Sequence, residues 1–340
     1  MIQAYAVQKA KGRLKRIEYD PGALGPGQVE IDVIACGVCR SDLSMVDNEW
    51  GDSDYPLVPG HEVVGKIAQV GAHVKHLRIG DTVGLGWFSG SCLICPQCMS
   101  GNHNLCPDAE QTIVGRHGGF ADKVRCQAEW ALPLPAGLDT RKAGPLFCAG
   151  ITVFNALVQF DVKPTQRAGV IGIGGLGHLA LQFLNKWGCD VTAFTTTDAK
   201  RDAALQMGAH RVLHSRHAAQ LKKLAGSLDF IISTVDADLD WDAYFDTLAP
   251  GGRLHIVGIV PSPISVPAFS LIGGQANLSG SPTGSPAMLG TMLDFCARHR
   301  IEPVAEHFPM SRVNEALAHL RAGKARYRVV LENDWAETSR

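Results

Sequence analysis

The sequence predicts an α/β protein in two parts, an irregular β-rich domain and a doubly wound parallel sheet, and three observations carry that prediction. At 340 residues the chain is too long for one ordinary core. Residues 25 to 135 are rich in glycine and proline and hold short β-rich runs, "QVEIDVIACGV", "EVVGKIAQVG" and "DTVGLGW", with few helical stretches. From about Gly150 strand and helix patterns alternate in strict turn, the mark of parallel strands joined by crossover helices.

Taken in order, "RAGVIGIGG" reads as a strand and "LGHLALQFLNKWG" as a helix stopped by Gly188. "DVTAFTT" reads as a strand and "DAKRDAALQMG" as a helix stopped by Gly208. "RVLH", the helical "HAAQLKKLAG", "LDFIISTV", the helical "DWDAYFDTLAP" and "GRLHIVGIV" continue the alternation. After about Pro282, "MLGTMLDFCARHR", "VNEALAHLRAG" and "ARYRVVLEN" give two more helices and a strand, which we expect to rejoin the first domain. The expected domains are therefore 1-150 with 285-340, and 151-284. No solenoid repeat and no low-complexity tract interrupts them.

Charge narrows the function classes. Lys plus Arg number 32 against 33 Asp plus Glu, so there is no basic field for nucleic acid and no polybasic patch for an anionic membrane. The first residues, "MIQAYAVQKAKGRLKR", lack the apolar centre of a signal peptide, and no apolar run reaches the ~18 residues of a spanning helix. A soluble, cytoplasmic protein with a small neutral partner is expected. In that reducing compartment ten cysteines read as metal ligands or catalytic thiolates rather than disulfides.

Four of them fall in "GSCLICPQCMSGNHNLC": Cys92, Cys95, Cys98 and Cys106. This spacing can close a tetrahedral thiolate cage around one Zn²⁺ with no further ligand, and a closed site is structural. A nucleic-acid zinc ribbon would want more widely separated pairs and basic surroundings, and neither is present. Chemistry must then lie elsewhere. Cys39 in "GVCRSD", His61 and Glu62 in "PGHEVVG", and Cys148 in "GPLFCAGIT" offer two thiolates and an imidazole for a neutral zinc site with an open fourth position. Each alone has an ordinary reading as a buried cysteine or a structural histidine.

The glycines Gly172, Gly174, Gly175 and Gly177 follow a strand and open a helix, where backbone amides can face a pyrophosphate. An NAD site usually places an acidic residue about 20 residues on. Here that place holds Thr195, Thr196 and Thr197, followed by Lys200 and Arg201. Hydroxyls and cations suit a 2′-phosphate and favour NADP(H). The ordinary alternative is a helix cap followed by solvated helix charges.

"GVCRSDL", "GHEVVGKIAQVGAHV", the cysteine quartet, "AGPLFCAGITVF" and "GIGGLGH", in this order, resemble the zinc-dependent medium-chain alcohol dehydrogenases, specifically their cinnamyl-alcohol-dehydrogenase-like branch. "SDLSMVDNEWG", "YPLVPGHEV" and "GKARYRVVL" are most similar to bacterial broad-range NADPH-dependent aldehyde reductases within it. The resemblance covers essentially the whole chain. It implies a GroES-like irregular β catalytic domain plus a doubly wound parallel-sheet Rossmann cofactor domain, two Zn²⁺ per chain and NADP(H). It also implies that Cys39, His61 and Cys148 hold the catalytic zinc, with Glu62 as a carboxylate able to approach the metal and Asp42 orienting His61. Ser41 matches the hydroxyl of the proton relay, and Arg40 is expected on the cofactor pyrophosphate.

Many relatives carry a histidine five residues after the first cysteine ligand, where this chain has Ser44. Water or Asp47 then remains to end the relay. Trp50 and Trp87 fall in segments that line the substrate channel of similar enzymes, with Leu271 and Ile272 as further contributors, and suit an apolar aldehyde. The expected activity is reduction of aldehydes by NADPH. The alternatives are an NAD-dependent alcohol oxidiser of the same fold and a catalytically inert binding relative. "QANLSGSP" is a candidate edge strand for a homodimer, a tetramer being the other assembly considered.

Overall fold

The strand Gln28–Val38 organises the first of two units into which the chain divides. The computed structural model describes residues 1–335, grouped as Met1–Ile151 with the segment beginning at Gly284, and Thr152–Thr283. Val29, Ile31 and Val33 alternate toward a buried core, and the strand pairs antiparallel with Val63–Val70, Lys123–Gln127 and Arg328–Glu332. The last of these runs parallel to Ala305–Pro309, so the end of the chain supplies two strands of this seven-stranded sheet. Beyond Val38 the chain turns directly into the helix Arg40–Asp47. Cys39 is its N-cap, and its N–H donates to Asp42 Oδ2 at 2.8 Å, half of a capping box that fixes both residues. Asn48, left-handed at φ 55°, ends the helix.

The second unit is a six-stranded parallel sheet in the order Arg211–His214, Asp190–Thr195, Arg167–Ile171, Leu228–Ser233, Leu248–Ile256, Asn277–Gly280. Chain direction across the sheet reverses between Arg167–Ile171 and Leu228–Ser233, the switch point where ligands of doubly wound folds bind. The helix Gly177–Trp187 runs as the periodicity predicts and stops at Gly188, whose φ of 103° suits glycine.

Two helices are shorter than predicted. "HAAQLKKLAG" is helical only over Ala218–Lys222. "DWDAYFDTLAP" is helical only over Trp241–Phe245, because Leu248 already pairs with Leu228 across a bulge and begins the next strand. Among the described residues no helix is long and apolar enough to cross a membrane.

Candidate active site and metal centres

Three segments of the first unit bring the open-site donors together. Cys39 caps its helix, His61 follows Gly60 at the start of the strand Val63–Val70, and Cys148 sits between the 3₁₀ turn Gly144–Phe147 and the helix Ala149–Gln159. Cys39 Sγ lies 3.9 Å from Cys148 Sγ, and His61 Nε2 lies 3.3 Å from Cys148 Sγ. With a Glu62 oxygen, the four donor atoms fall within 4.8 Å of one another. A tetrahedral site with bonds of about 2.3 Å sets sulfur–sulfur edges of about 3.8 Å. The thiols therefore stand at the separation a shared Zn²⁺ requires, and far beyond disulfide length. The hydrogen bond to Cys148, helped by the Arg328 and His61 charges, holds the Cys39 thiol well below its usual range against the opposing effect of burial.

Asp42 aligns the imidazole. Its Oδ1 accepts from Gly60 N at 2.8 Å and lies 3.0 Å from His61 Nδ1, both side chains being fully buried. This fixes the tautomer with Nε2 toward the sulfurs. Behind the donors, Glu62 forms a buried ion pair with Arg328, a residue the sequence analysis did not single out. Glu62 Oε2 has no hydrogen-bond partner, and burial pushes the carboxyl up to about 7 against the pull of Arg328. An orphaned buried oxygen beside two thiols and an imidazole fits a cation. A Cβ on Gly37 would come within 2.0 Å of that oxygen, so the strand needs glycine there.

The second donor set is self-contained. Sulfur–sulfur distances are 3.5 Å for Cys92–Cys106 and 4.0 Å for Cys92–Cys98. The N–H groups of Cys95 and Cys98 donate to Cys92 and Cys95 sulfurs at 3.3 and 3.5 Å. Thiolates that accept backbone N–H bonds at tetrahedral spacing suit a closed zinc site, and none of the ten cysteines forms a disulfide.

In the second unit the glycine turn follows the strand Arg167–Ile171 and opens the helix Gly177–Trp187. Gly172 takes φ 86°, and a Cβ on Gly177 would meet the Gly172 carbonyl at 1.9 Å. Nothing lies within 4 Å of the Cβ position of Gly174, leaving the backbone open to a pyrophosphate.

Comparison with known proteins agrees with this arrangement. Residues 25–136 match the family model for the alcohol dehydrogenase GroES-like domain, and residues 175–298 that for zinc-binding dehydrogenases. The chain is 56% identical over 333 residues to an aldehyde reductase of Synechocystis, covering 98% of this chain and 99% of that protein. It belongs to the zinc-dependent medium-chain alcohol dehydrogenases, in the cinnamyl-alcohol-dehydrogenase-like branch. Among solved structures it resembles a cinnamyl alcohol dehydrogenase of Sorghum bicolor, with TM-score 0.93, 37% identity and 97% of both chains covered. It also resembles the CAD of Helicobacter pylori complexed with NADP(H), with TM-score 0.90, 30% identity and the same coverage.

The expected fold of this alcohol dehydrogenase is thus the one observed, a GroES-like domain with a Rossmann-like one. The dehydrogenase places Trp87 edge-on to His61, with ring centroids 5.0 Å apart, and Trp50 6.0 Å from Trp87. Ser41 Oγ lies 3.8 Å from Cys39 Sγ. Ser44 is buried and donates to Glu49 Oε2 at 2.7 Å, and Arg40 donates to both Glu49 oxygens at 3.1 Å. Asp47 is held by Arg321 at 2.7 and 3.1 Å, so its carboxylate is already occupied.

In the cofactor unit the Thr195 hydroxyl is buried and bonds within its own turn to Thr197. Lys200 Nζ donates to the Ile173 carbonyl in the glycine turn at 2.9 Å, and Arg201 to the Val212 carbonyl at 3.0 Å. Leu271 is half-buried and Ile272 is 72% exposed. The residues that sequence reasoning missed, Arg328 and Glu49, carry no local motif. Arg328 lies inside an apolar strand, and only the pairing of Arg328–Glu332 with Gln28–Val38 brings it to Glu62.

Proposed function

We propose that the chain is an NADPH-dependent aldehyde reductase acting on apolar aldehydes, aliphatic or aromatic. The observation that carries this reading is the convergence of Cys39, His61 and Cys148 beside the Trp87 ring, which in turn meets Trp50. In it, Cys39, His61 and Cys148 hold the catalytic zinc with Glu62 as an exchangeable neighbour, and Cys92, Cys95, Cys98 and Cys106 hold a structural zinc. Zinc, when bound, supplies a Lewis acid for a carbonyl oxygen, and NADPH supplies the hydride.

The protein's own groups do the rest. Asp42 keeps Nε2 of His61 aimed at the donor cluster. Trp50 and Trp87 present an apolar wall that receives the aldehyde's hydrocarbon part and excludes water. Ser41 holds the proton that the product oxygen takes up, and Ser44 with Glu49 forms the polar end of that path.

Gly172, Gly174, Gly175 and Gly177 receive the pyrophosphate, with Arg40 as a further contact. Thr195, Thr196, Lys200 and Arg201 form the 2′-phosphate end, and threonines in place of an acidic residue at the strand end itself support NADP(H) over NAD(H). The domain boundaries that go with this reading are 1-150 with 285-340 for catalysis and 151-284 for cofactor. Unpaired cysteines support a reducing, cytoplasmic setting. The edge strand Asn277–Gly280, with Phe269 at 80% and Ile272 at 72% exposed, supports a homodimer.

Steady-state rates with NADPH and NADH over aldehydes of graded chain length and ring size test the reading. Faster turnover with NADPH on apolar aldehydes, at two zinc ions per chain, is the expected result. Preference for NADH with alcohols would replace it by the oxidiser, and one zinc or none by an inert binder.

A further inference from the structure

The cations that the sequence offers to a 2′-phosphate are both engaged with main-chain carbonyls. Lys200 Nζ reaches back to Ile173 in the glycine turn, 2.9 Å away, and Arg201 reaches across to Val212 on the strand Arg211–His214, 3.0 Å away. The Thr195 hydroxyl is folded into its own turn. Over residues 196–201, which follow Asp190–Thr195, Thr196, Thr197, Asp198 and Arg201 are exposed and Lys200 is half-buried, so two cations already bonded to carbonyls stand against one carboxylate and leave a net charge of +1. A phosphate monoester carries about −1.5 to −2 charge at pH 7 and needs more positive charge than this turn alone offers.

The neighbouring strand supplies it. The parallel register ends at Thr195 opposite His214, and Ser215 N extends it by donating to Thr195 O at 2.9 Å. The turns that follow the two strand ends are therefore neighbours, the paired strands being about 4.8 Å apart where they end. Arg216 sits there, exposed, and its guanidinium makes no hydrogen bond or ion pair among the described residues.

The turn that carries it is well braced. Arg216 N donates to His214 Nδ1 at 3.3 Å, the His214 N–H donates to Gln220 Oε1 at 2.8 Å, and the His214 and His217 rings stack at 4.2 Å and 18°. A free guanidinium on a fixed turn, beside two exposed threonine hydroxyls, matches the geometry by which arginine takes up phosphate.

We propose that Arg216 is a specificity-determining residue, binding the 2′-phosphate from the strand adjacent to Thr196 and Thr197. This rests on the NADP(H) reading above. It adds that discrimination against NADH comes in large part from a residue outside the first 30 positions after the glycine turn.

Binding tests it without turnover. Dissociation constants for NADPH, NADH, adenosine 2′,5′-bisphosphate and AMP are measured for the wild type, Arg216→Ala, Arg216→Lys and Lys200→Ala, by tryptophan fluorescence and calorimetry, at several salt concentrations. Arg216→Ala is expected to weaken NADPH and the bisphosphate about tenfold and to flatten their salt dependence, with NADH and AMP unchanged. Arg216→Lys is expected to recover part of the loss. Equal effects on phosphorylated and unphosphorylated ligands, or none, would overturn the proposal. If the wild type binds NADPH no tighter than NADH, the NADP(H) reading itself fails. If Lys200→Ala lowers the NADPH preference while Arg216→Ala leaves it, only the role of Arg216 fails.

Discussion

Arg328 pairs with Glu62 behind Cys39, His61 and Cys148, and both members of the pair are buried. A bound Zn²⁺ and two thiolates already sum to zero charge, and Arg328 keeps the adjacent Glu62 carboxylate from adding an uncompensated negative charge to a site that water does not screen. Removing one partner of a buried pair costs about 3–5 kcal/mol, because the other is left uncompensated. Arg328→Met is expected to lose that much stability in urea and to retain less than the full zinc at the open site. The double variant with Glu62→Gln should recover most of the stability. A single variant as stable as the wild type, with both metals, contradicts the role given to Arg328.

Glu49 holds Arg40 and Ser44 at once, at 3.1 and 2.7 Å. Both bonds to Glu49 come from one Arg40 nitrogen, and in the pyrophosphate role proposed for Arg40 the Glu49 carboxylate offsets the charge offered to the ligand. Exposed pairs are worth about 0.2–1 kcal/mol, and Glu49→Gln should therefore tighten NADPH binding by up to about fivefold. The check is a fluorescence titration beside Arg40→Ala, which should weaken binding.

The two metal sites differ in what their loss does. Cys95→Ser with Cys106→Ser should lower the unfolding free energy by roughly 3 kcal/mol or more, since structural zinc sites contribute of order 10 kcal/mol in isolated peptides. Cys148→Ser should abolish turnover while leaving one zinc and a near-native urea midpoint. Metal analysis beside urea melts separates the two, and equal destabilisation by both variants would show that the cage does not carry the fold.

His255 is fully buried between Ser279 Oγ and Ser281 Oγ, at 2.9 and 3.0 Å from its ring nitrogens. Burial, with help from Arg253, holds its pKa down to about 4. The unfolded chain therefore binds a proton below its usual pKa near 6.5 that the folded state refuses. The contribution is fully present above about pH 6.5 and is lost as pH falls toward 4, up to roughly 3 kcal/mol. Urea midpoints across that window should fall less steeply for His255→Gln than for the wild type. Parallel curves would mean that other groups set the acid limit.

Trp87 stands edge-on to His61 at 5.0 Å. Trp87→Ala should raise KM for aromatic aldehydes about three- to tenfold, the equivalent of roughly 0.5–1.5 kcal/mol, and affect short aliphatic ones less.

What the sequence made legible is whatever is local. The quartet spans 15 residues, so spacing alone exposes it. The alternation after Gly150 likewise yields the parallel sheet. Partners brought together by strand pairing stay hidden. Arg328 reaches Glu62 across 266 positions, and Arg216 reaches the end of Asp190–Thr195 only through sheet order. Helix ends are not legible where a strand competes for the same residues, as at Leu248.

The place of Arg328 in the last strand also orders events during synthesis. The cysteine cage can fill while most of the chain is still unmade, for its ligands lie within one short loop. The open site has all its donors by Cys148, yet the counter-charge of Glu62 arrives about 180 residues later, roughly ten to forty seconds at ordinary elongation rates. A nascent chain released early would thus carry a complete cysteine cage but a Glu62 carboxylate without its counter-charge and a first sheet short of two strands.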